Sequence, residues 1–132
     1  MTRSVAIVGT AATIESQAYR KEIHRIDPRI KVAEVACPLF VPLVEAGWLD
    51  NSITESVVRK YLQPILKSKV DTLILGCTHY PMLHRVIKRI VGTKIALIDS
   101  APSTSKRLKD VLDRRGLLKD RKRAAGNLKV YV

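Results

Sequence analysis

The chain is poor in aromatic residues and in cysteine. Phe, Trp and Tyr together make up 5% of its 132 residues, and there are two cysteines. With so few aromatic rings, the chain has few side chains on which the bases of single-stranded nucleic acid could stack. Two cysteines cannot form the disulfide framework of a small secreted domain, which favours a reducing, cytoplasmic setting.

Long apolar runs and metal-binding motifs are also missing from the sequence. No uninterrupted apolar run approaches the roughly 18–20 residues of a membrane span, so no membrane partner is expected. The apolar run at residues 4–8 is too short for a secretory signal. No Cys/His pair has zinc-ligand spacing, so no metal site is expected, and neither a phosphate loop nor a dinucleotide fingerprint occurs.

The composition does provide a hydrophobic core and an excess of positive charge. Hydrophobic residues make up 46% of the chain, and its formal net charge is +12. Residues 99–132 hold 10 basic and 4 acidic residues. The densest basic run comprises Arg114, Arg115, Lys119, Arg121, Lys122 and Arg123. Such a run can contact phosphate backbones, but a solvated helix face and loop is the favoured interpretation, so nucleic acid is not the expected partner.

Short apolar runs alternate with helical patterns along the chain. The runs predict strands at residues 4–8, 31–36, 71–75 and 94–98, and a further strand at 128–132. Helices are predicted at residues 11–26, 52–68, 81–91 and 103–115. Strand–helix alternation is typical of βαβ units, so the sequence predicts an α/β fold with a mostly parallel sheet flanked by helices.

Small polar residues follow three of the predicted strands. In a parallel sheet, ligands bind beyond the carboxyl ends of the strands. Residues 9–13 follow the first strand, residues 76–81 follow the third, and Asp99 follows the fourth. We therefore expect Thr10, Cys77 and Asp99 to lie along the same edge of the sheet.

The turn after the third strand is the most informative of these segments. Cys77 and His79 lie between that strand and Pro81, which is expected to begin the next helix. A helix N-terminus favours a bound carboxylate or phosphate and favours the thiolate form of a nearby cysteine. Cys77 is thus a candidate base or nucleophile, and His79 could relay a proton or hold a carboxylate. A buried structural cysteine and a capping histidine remain the alternatives.

Other candidate residues give weaker signals. Thr10 and Thr13 could line a pocket with their hydroxyls, although Thr10 could merely cap a helix. Cys37 precedes a proline and has no neighbouring base, so a packing role is favoured. Glu45 is a lone carboxylate after an apolar stretch, which is usually a helix-surface residue.

Four segments in this order resemble those of the glutamate racemase family. They are residues 8–14 (VGTAATI), 36–45 (ACPLFVPLVE), 71–81 (DTLILGCTHYP) and 97–101 (LIDSA). The resemblance runs from about residue 4 to residue 115. His79 points to glutamate as the substrate, since related aspartate racemases typically have a glutamate at that position.

The resemblance implies an isomerase that interconverts L- and D-glutamate without a cofactor and supplies D-glutamate for peptidoglycan. Cys77 matches the second of the family's two catalytic cysteines, and His79 matches the histidine that assists this thiol. Glu45 matches an acidic residue linked to catalysis. The positions that hold the substrate correspond to Thr10, Thr13, Thr78 and His79.

The chain resembles only the carboxyl-terminal half of the family. The family's first half carries an Asp-Ser-Gly segment and a Cys-Asn-Thr segment with the first catalytic cysteine, and neither is present. The resemblance implies that residues 1–99 are the second lobe and that residues 100–132 are a basic return segment that packs on the missing first lobe. Expected partners are glutamate and either the missing amino-terminal half or a second copy of the chain.

Two other functions remain open at this stage. The chain could be a non-catalytic remnant or fragment that acts, if at all, as an interaction module. It could also be a basic nucleic-acid-binding module that uses the charged segment after residue 99.

Overall fold

The computed structural model describes residues 3–118, 127 and 129 of the chain. Its strands are β1 (Ser4–Gly9), β2 (Lys31–Ala36), β3 (Thr72–Leu75) and β4 (Ala96–Asp99). Its α-helices are α1 (Ala11–Ser16), α2 (Ala18–Ile26), α3 (Phe40–Glu45), α4 (Ser52–Leu66), α5 (His84–Val91) and α6 (Ser100–Arg114), and a 3₁₀ turn (Tyr80–Leu83) precedes α5.

The four strands form one parallel sheet in the order β2-β1-β3-β4. In the register of the sheet, Val8 lies beside Leu75, and Leu75 lies beside Asp99. The carboxyl ends of β1, β3 and β4 therefore meet at one edge. The predictions of a parallel α/β fold and of a shared edge for Thr10, Cys77 and Asp99 are both confirmed.

The core fills the space between the sheet and helices α3 to α5. Leu73 and Leu75 of β3 are buried together with Leu62 of α4 and Ile87 of α5. Ile7 of β1 is also fully buried, but alternate residues of a strand face opposite sides, so it lies on the other face of the sheet. Strand β1 is thus buried on both faces, as is typical of parallel strands joined by helices, and this explains its continuous apolar run.

The helix predicted at residues 11–26 is divided into two helices. Gln17 adopts a left-handed conformation with a φ of 54°, which ends α1 before α2 begins. The Ser16 hydroxyl donates to the Thr13 carbonyl at 2.8 Å and accepts from the Ala18 N–H at 3.2 Å. These local side-chain bonds compete with the helical ladder at the break.

Other predicted boundaries also move by a few residues. The helix predicted at 81–91 begins as the 3₁₀ turn at Tyr80, and α5 starts at His84. The fourth strand starts at Ala96 instead of residue 94, and α6 starts at Ser100 instead of residue 103. The strand predicted at 128–132 lies outside the described residues, apart from Lys129.

The chain divides into two compact units at residue 100. The first unit, Met1–Ser100, contains the whole sheet. In the second unit, no residue of α6 is buried. That residues 100–132 serve as a return segment for another lobe stays a prediction. Within the described residues, no helix is both long enough and apolar enough to cross a membrane.

Helix α4 offers a matched test of this core, because Leu62 is fully buried and Leu66, one turn later, is 42% exposed. Leu62→Ala removes packed atoms from the core, so we expect it to lower the free energy of unfolding by about 2–5 kcal/mol. Leu66→Ala should cost under about 1 kcal/mol, since much of its surface is already in water. Urea denaturation measures both values, and equal losses would contradict this description of the core.

Candidate active site at the carboxyl edge of the sheet

The carboxyl edge between β1 and β3 is the topological switch point of the sheet. From β1, the chain goes first to β2 on one side, and β3 and β4 then follow on the other side. The loops that leave β1 and β3 therefore diverge, and a crevice opens between their first residues. This position is where an open parallel sheet most often binds its ligand.

Two threonines form the part of the site that follows β1. Thr10 caps α1, and its Oγ1 accepts from the Thr13 N–H at 3.3 Å. The two threonine hydroxyls lie 2.9 Å apart, and both residues are half-buried. The capping role of Thr10 is thus confirmed, and its substrate-binding role stays a prediction.

Cys77 follows β3 and is tied to the end of β1 through its neighbour. The Gly76 N–H donates to the Val8 carbonyl at 2.8 Å. A Cβ at position 76 would lie 3.0 Å from that carbonyl oxygen and 3.2 Å from the Tyr19 ring, closer than most Cβ contacts, so a larger residue would push its neighbours apart. Cys77 itself is half-buried and packs against the edge of the core.

The prediction of an α-helix N-terminus beside Cys77 is wrong. The residues after it form a four-residue 3₁₀ turn, Tyr80–Leu83, and α5 begins only at His84. Pro81 lies at the start of this turn as expected. The aligned dipoles of an α-helix therefore do not begin at Cys77, and the Tyr80 N–H is already bonded to the Cys77 carbonyl.

Glu45 and His79 meet across the site although 34 positions separate them in the sequence. Glu45 is the last residue of α3, and its Oε1 lies 3.6 Å from Nε2 of His79. Their side chains are 65% and 37% exposed. The pair can form an ion pair when the imidazole is protonated. Thr78, between Cys77 and His79, is exposed.

Cys37 lies inside the core and is fully buried. Burial raises the pKa of its thiol to about 12, so at neutral pH it stays protonated. Cys37 is therefore a packing residue, as predicted. It is not the second acid/base group of a two-thiol site.

Sequence reasoning missed Tyr80, which is fully buried behind this site. Its hydroxyl donates to the Cys37 carbonyl at 2.9 Å. The only sequence signal was its position between His79 and Pro81 in an otherwise polar turn. Among the described residues, no group of three His, Cys, Asp or Glu side chains could hold a metal ion.

An apolar groove of about 340 Å³ lies on helices α3 and α4. Its lining includes Leu43, Trp48 and Val57, and none of the predicted catalytic or substrate-binding residues. The groove is thus distinct from the candidate active site.

The two cysteines should differ strongly in their reaction with iodoacetamide at neutral pH. Cys77 is half-buried, whereas Cys37 is enclosed and its pKa is raised to about 12. Since the thiolate is the nucleophile, we expect Cys77 to be modified first. Cys37 should stay unmodified until the pH approaches its pKa or the chain unfolds.

Mass spectrometry of peptides from timed samples measures the two rates separately. Cys77→Ser is the matched control, and this variant should show almost no fast labelling. Faster modification of Cys37 in the folded chain would contradict the assignment of Cys77 as the accessible thiol.

Residues 1–108 match the family of Asp/Glu/Hydantoin racemases. The chain is 48% identical over 114 residues to a glutamate racemase of Geobacter metallireducens, an alignment that covers 85% of this chain and 42% of that protein. It is 50% identical over 96 residues to a glutamate racemase of Streptococcus pneumoniae, which covers 73% of this chain and 36% of the relative.

Solved structures give the same result for the fold. Glutamate racemase isoform RacE1 from Bacillus anthracis matches with a TM-score of 0.83 and 38% identity, over 90% of this chain and 45% of that one. The Francisella tularensis glutamate racemase, solved in complex with D-glutamate, matches with a TM-score of 0.84 and 38% identity, over 91% of this chain and 45% of that one. The chain spans less than half the length of these relatives. Its sequence and its fold make it a member of the Asp/Glu/Hydantoin racemase family.

Proposed function

We propose that this chain is the second lobe of a glutamate racemase, which interconverts L- and D-glutamate without a cofactor. The observation that carries the proposal is the position of Cys77 and His79 at the switch point of a lobe that matches a racemase solved with D-glutamate. The product, D-glutamate, would serve peptidoglycan synthesis in the cytoplasm.

The proposed reaction needs two acid/base groups. One group removes the α-proton from one face of glutamate, and the other delivers a proton to the opposite face. With no cofactor to delocalise the charge of the carbanion, the two groups have to lie on either side of the α-carbon. In this chain, Cys77 would serve one face as a thiolate that takes the proton, or as a thiol that returns it.

The opposite face needs a group from outside the described residues. Cys37 is excluded from that role, because it is buried and its pKa is raised to about 12. The relatives contain more than half of their length beyond the aligned region, which supports a first lobe as the source. A second copy of this chain is the other candidate.

His79 and Glu45 would act beside the thiol. An imidazole two residues from Cys77 can exchange a proton with it, and the Glu45 carboxylate lies 3.6 Å from that imidazole. A charged imidazole would also attract a carboxylate of the substrate. The substrate's remaining polar groups would bind at Thr10, Thr13 and Thr78.

The two units of the chain would have separate tasks in this enzyme. Residues 1–99 would form the second lobe, and residues 100–132 would be the segment that returns to the first lobe. Helix α6 supports this division, since it has no buried residue and Leu108 is 56% exposed. An apolar side chain so exposed on a helix is suited to packing against a further surface.

Circular dichroism of a glutamate solution tests the proposal, because racemisation removes its optical activity. We expect no measurable racemisation by the chain alone, since one positioned acid/base group is commonly worth about 10²–10⁴-fold in rate. Co-expression with the amino-terminal lobe of the Geobacter metallireducens relative should produce activity. Cys77→Ser should abolish that activity, whereas Cys37→Ala should retain it in the folded fraction.

Three results would contradict the proposal in different ways. Full activity from the chain alone, in a form that sedimentation shows to be a monomer, would overturn the argument for two groups. Activity of the mixture that survives Cys77→Ser would remove Cys77 from its role. No activity in any mixture with a folded chain would favour a non-catalytic remnant, which the short coverage of the relatives also allows.

A further inference from the structure

We propose that Tyr80 is a positioning residue, whose hydroxyl holds the turn of Cys77 and His79 in register with the segment that carries Glu45. The catalytic use of these residues rests on the proposed function. The positioning itself is a property of the folded chain and can be tested without substrate.

Tyr80 is anchored at both ends. Its backbone N–H donates to the Cys77 carbonyl at 3.2 Å, and its hydroxyl donates to the Cys37 carbonyl at 2.9 Å. The ring is fully buried and packs edge-to-face against Phe40, with ring centroids 5.0 Å apart. A buried hydroxyl needs a hydrogen-bond partner, and here the partner is the main-chain carbonyl of Cys37, on the other side of the candidate site.

The backbone of Cys37 is where three segments of the site meet. Its N–H donates to the Gly9 carbonyl at 2.8 Å, directly before Thr10. Its carbonyl accepts from the Phe40 N–H at 3.1 Å as well as from Tyr80, and Phe40 begins α3. The Tyr80 hydroxyl thus connects the turn of His79 to the start of the helix that ends at Glu45.

The exposure of the His79–Glu45 pair makes this connection important. The side chains are 37% and 65% exposed, so the pair is solvated and contributes little stability by itself. Such a pair cannot hold two segments together. The distance of 3.6 Å between the two side chains therefore has to be set by buried contacts of the segments that carry them. The hydrogen bond from the Tyr80 hydroxyl to the Cys37 carbonyl is such a contact. Burial raises the pKa of Tyr80 above its usual range, so the hydroxyl stays a donor at physiological pH.

Tyr80→Phe removes the hydroxyl and keeps the ring. Tyr61→Phe is the matched control, because the Tyr61 ring also packs edge-to-face on Phe40, with centroids 5.5 Å apart. The readout is the NMR signal of the His79 ring at fixed pH, recorded with and without Glu45→Gln in each background. The change caused by Glu45→Gln reports how closely the carboxylate approaches the imidazole.

In the otherwise unchanged chain and with Tyr61→Phe, Glu45→Gln should shift the His79 signal by the same amount. With Tyr80→Phe, that shift should fall to less than half while the circular dichroism stays that of the folded chain. At position 80, 4-aminophenylalanine, which supplies an N–H donor in place of the hydroxyl, should restore the shift. If Tyr80→Phe fails to fold, a variant with 4-fluorophenylalanine at position 80 replaces it in the experiment. The fluorine fills the volume of the hydroxyl but cannot donate a hydrogen bond.

An undiminished shift with Tyr80→Phe would overturn the proposal, because the pair would then be positioned by other contacts. If Tyr80→Phe lowers the stability of the fold but leaves the shift undiminished, Tyr80 has a purely structural role, and the proposal is overturned as well. No shift in any background would mean that the pair is not formed, which also overturns the proposal. None of these results involves glutamate, so they are distinguishable from a failed racemisation test.

Discussion

The last two carbonyl groups of strand β1 determine how the site is assembled. The Val8 carbonyl accepts from Gly76 and the Gly9 carbonyl accepts from Cys37, both at 2.8 Å. Each bond fixes the starting point of a segment that then leaves the sheet. Because backbone polar groups inside a core have to be paired, these two bonds leave little freedom in where Cys77 and α3 begin. The side chains of the candidate site lie on the segments that start there.

Much of the fold could be predicted from the sequence, because its strands are short β-branched runs between amphipathic helices. Lys31–Ala36 was predicted with its observed bounds. The order of the strands was not predicted, because it depends on which apolar surfaces pair over long distances. The helix break at Gln17 was not predicted either, because the apolar pattern continues on both sides of it. The break is accompanied by local hydrogen bonds of the Ser16 hydroxyl, which the apolar pattern does not indicate.

The candidate site was less accessible to sequence reasoning than the fold. Cys77 and His79 could be found from the strand and proline around them. Glu45 gave no signal of its own, because its partner His79 is remote in the sequence, and only the family resemblance indicated it. Tyr80 was missed because a tyrosine beside a proline is an ordinary turn residue until its hydroxyl is seen on the Cys37 carbonyl.

The described residues contain one accessible thiol and one enclosed thiol. Under the proposed function, Cys77 at the open edge of the sheet would serve one face of the substrate, and Cys37 in the core could not serve the other. Proton transfer at the second face would then need a further surface. The relatives, more than twice as long as the region they share with this chain, have room for one.

Central to the proposed function is that glutamate would bind at the carboxyl edge between β1 and β3. An NMR titration of the isotope-labelled chain with D-glutamate tests it most directly, because each backbone amide reports separately. We predict that the signals of residues 10–13 and 76–79 move together with added ligand. Signals that move only on other parts of the chain, with those two turns unchanged in a folded protein, would contradict it.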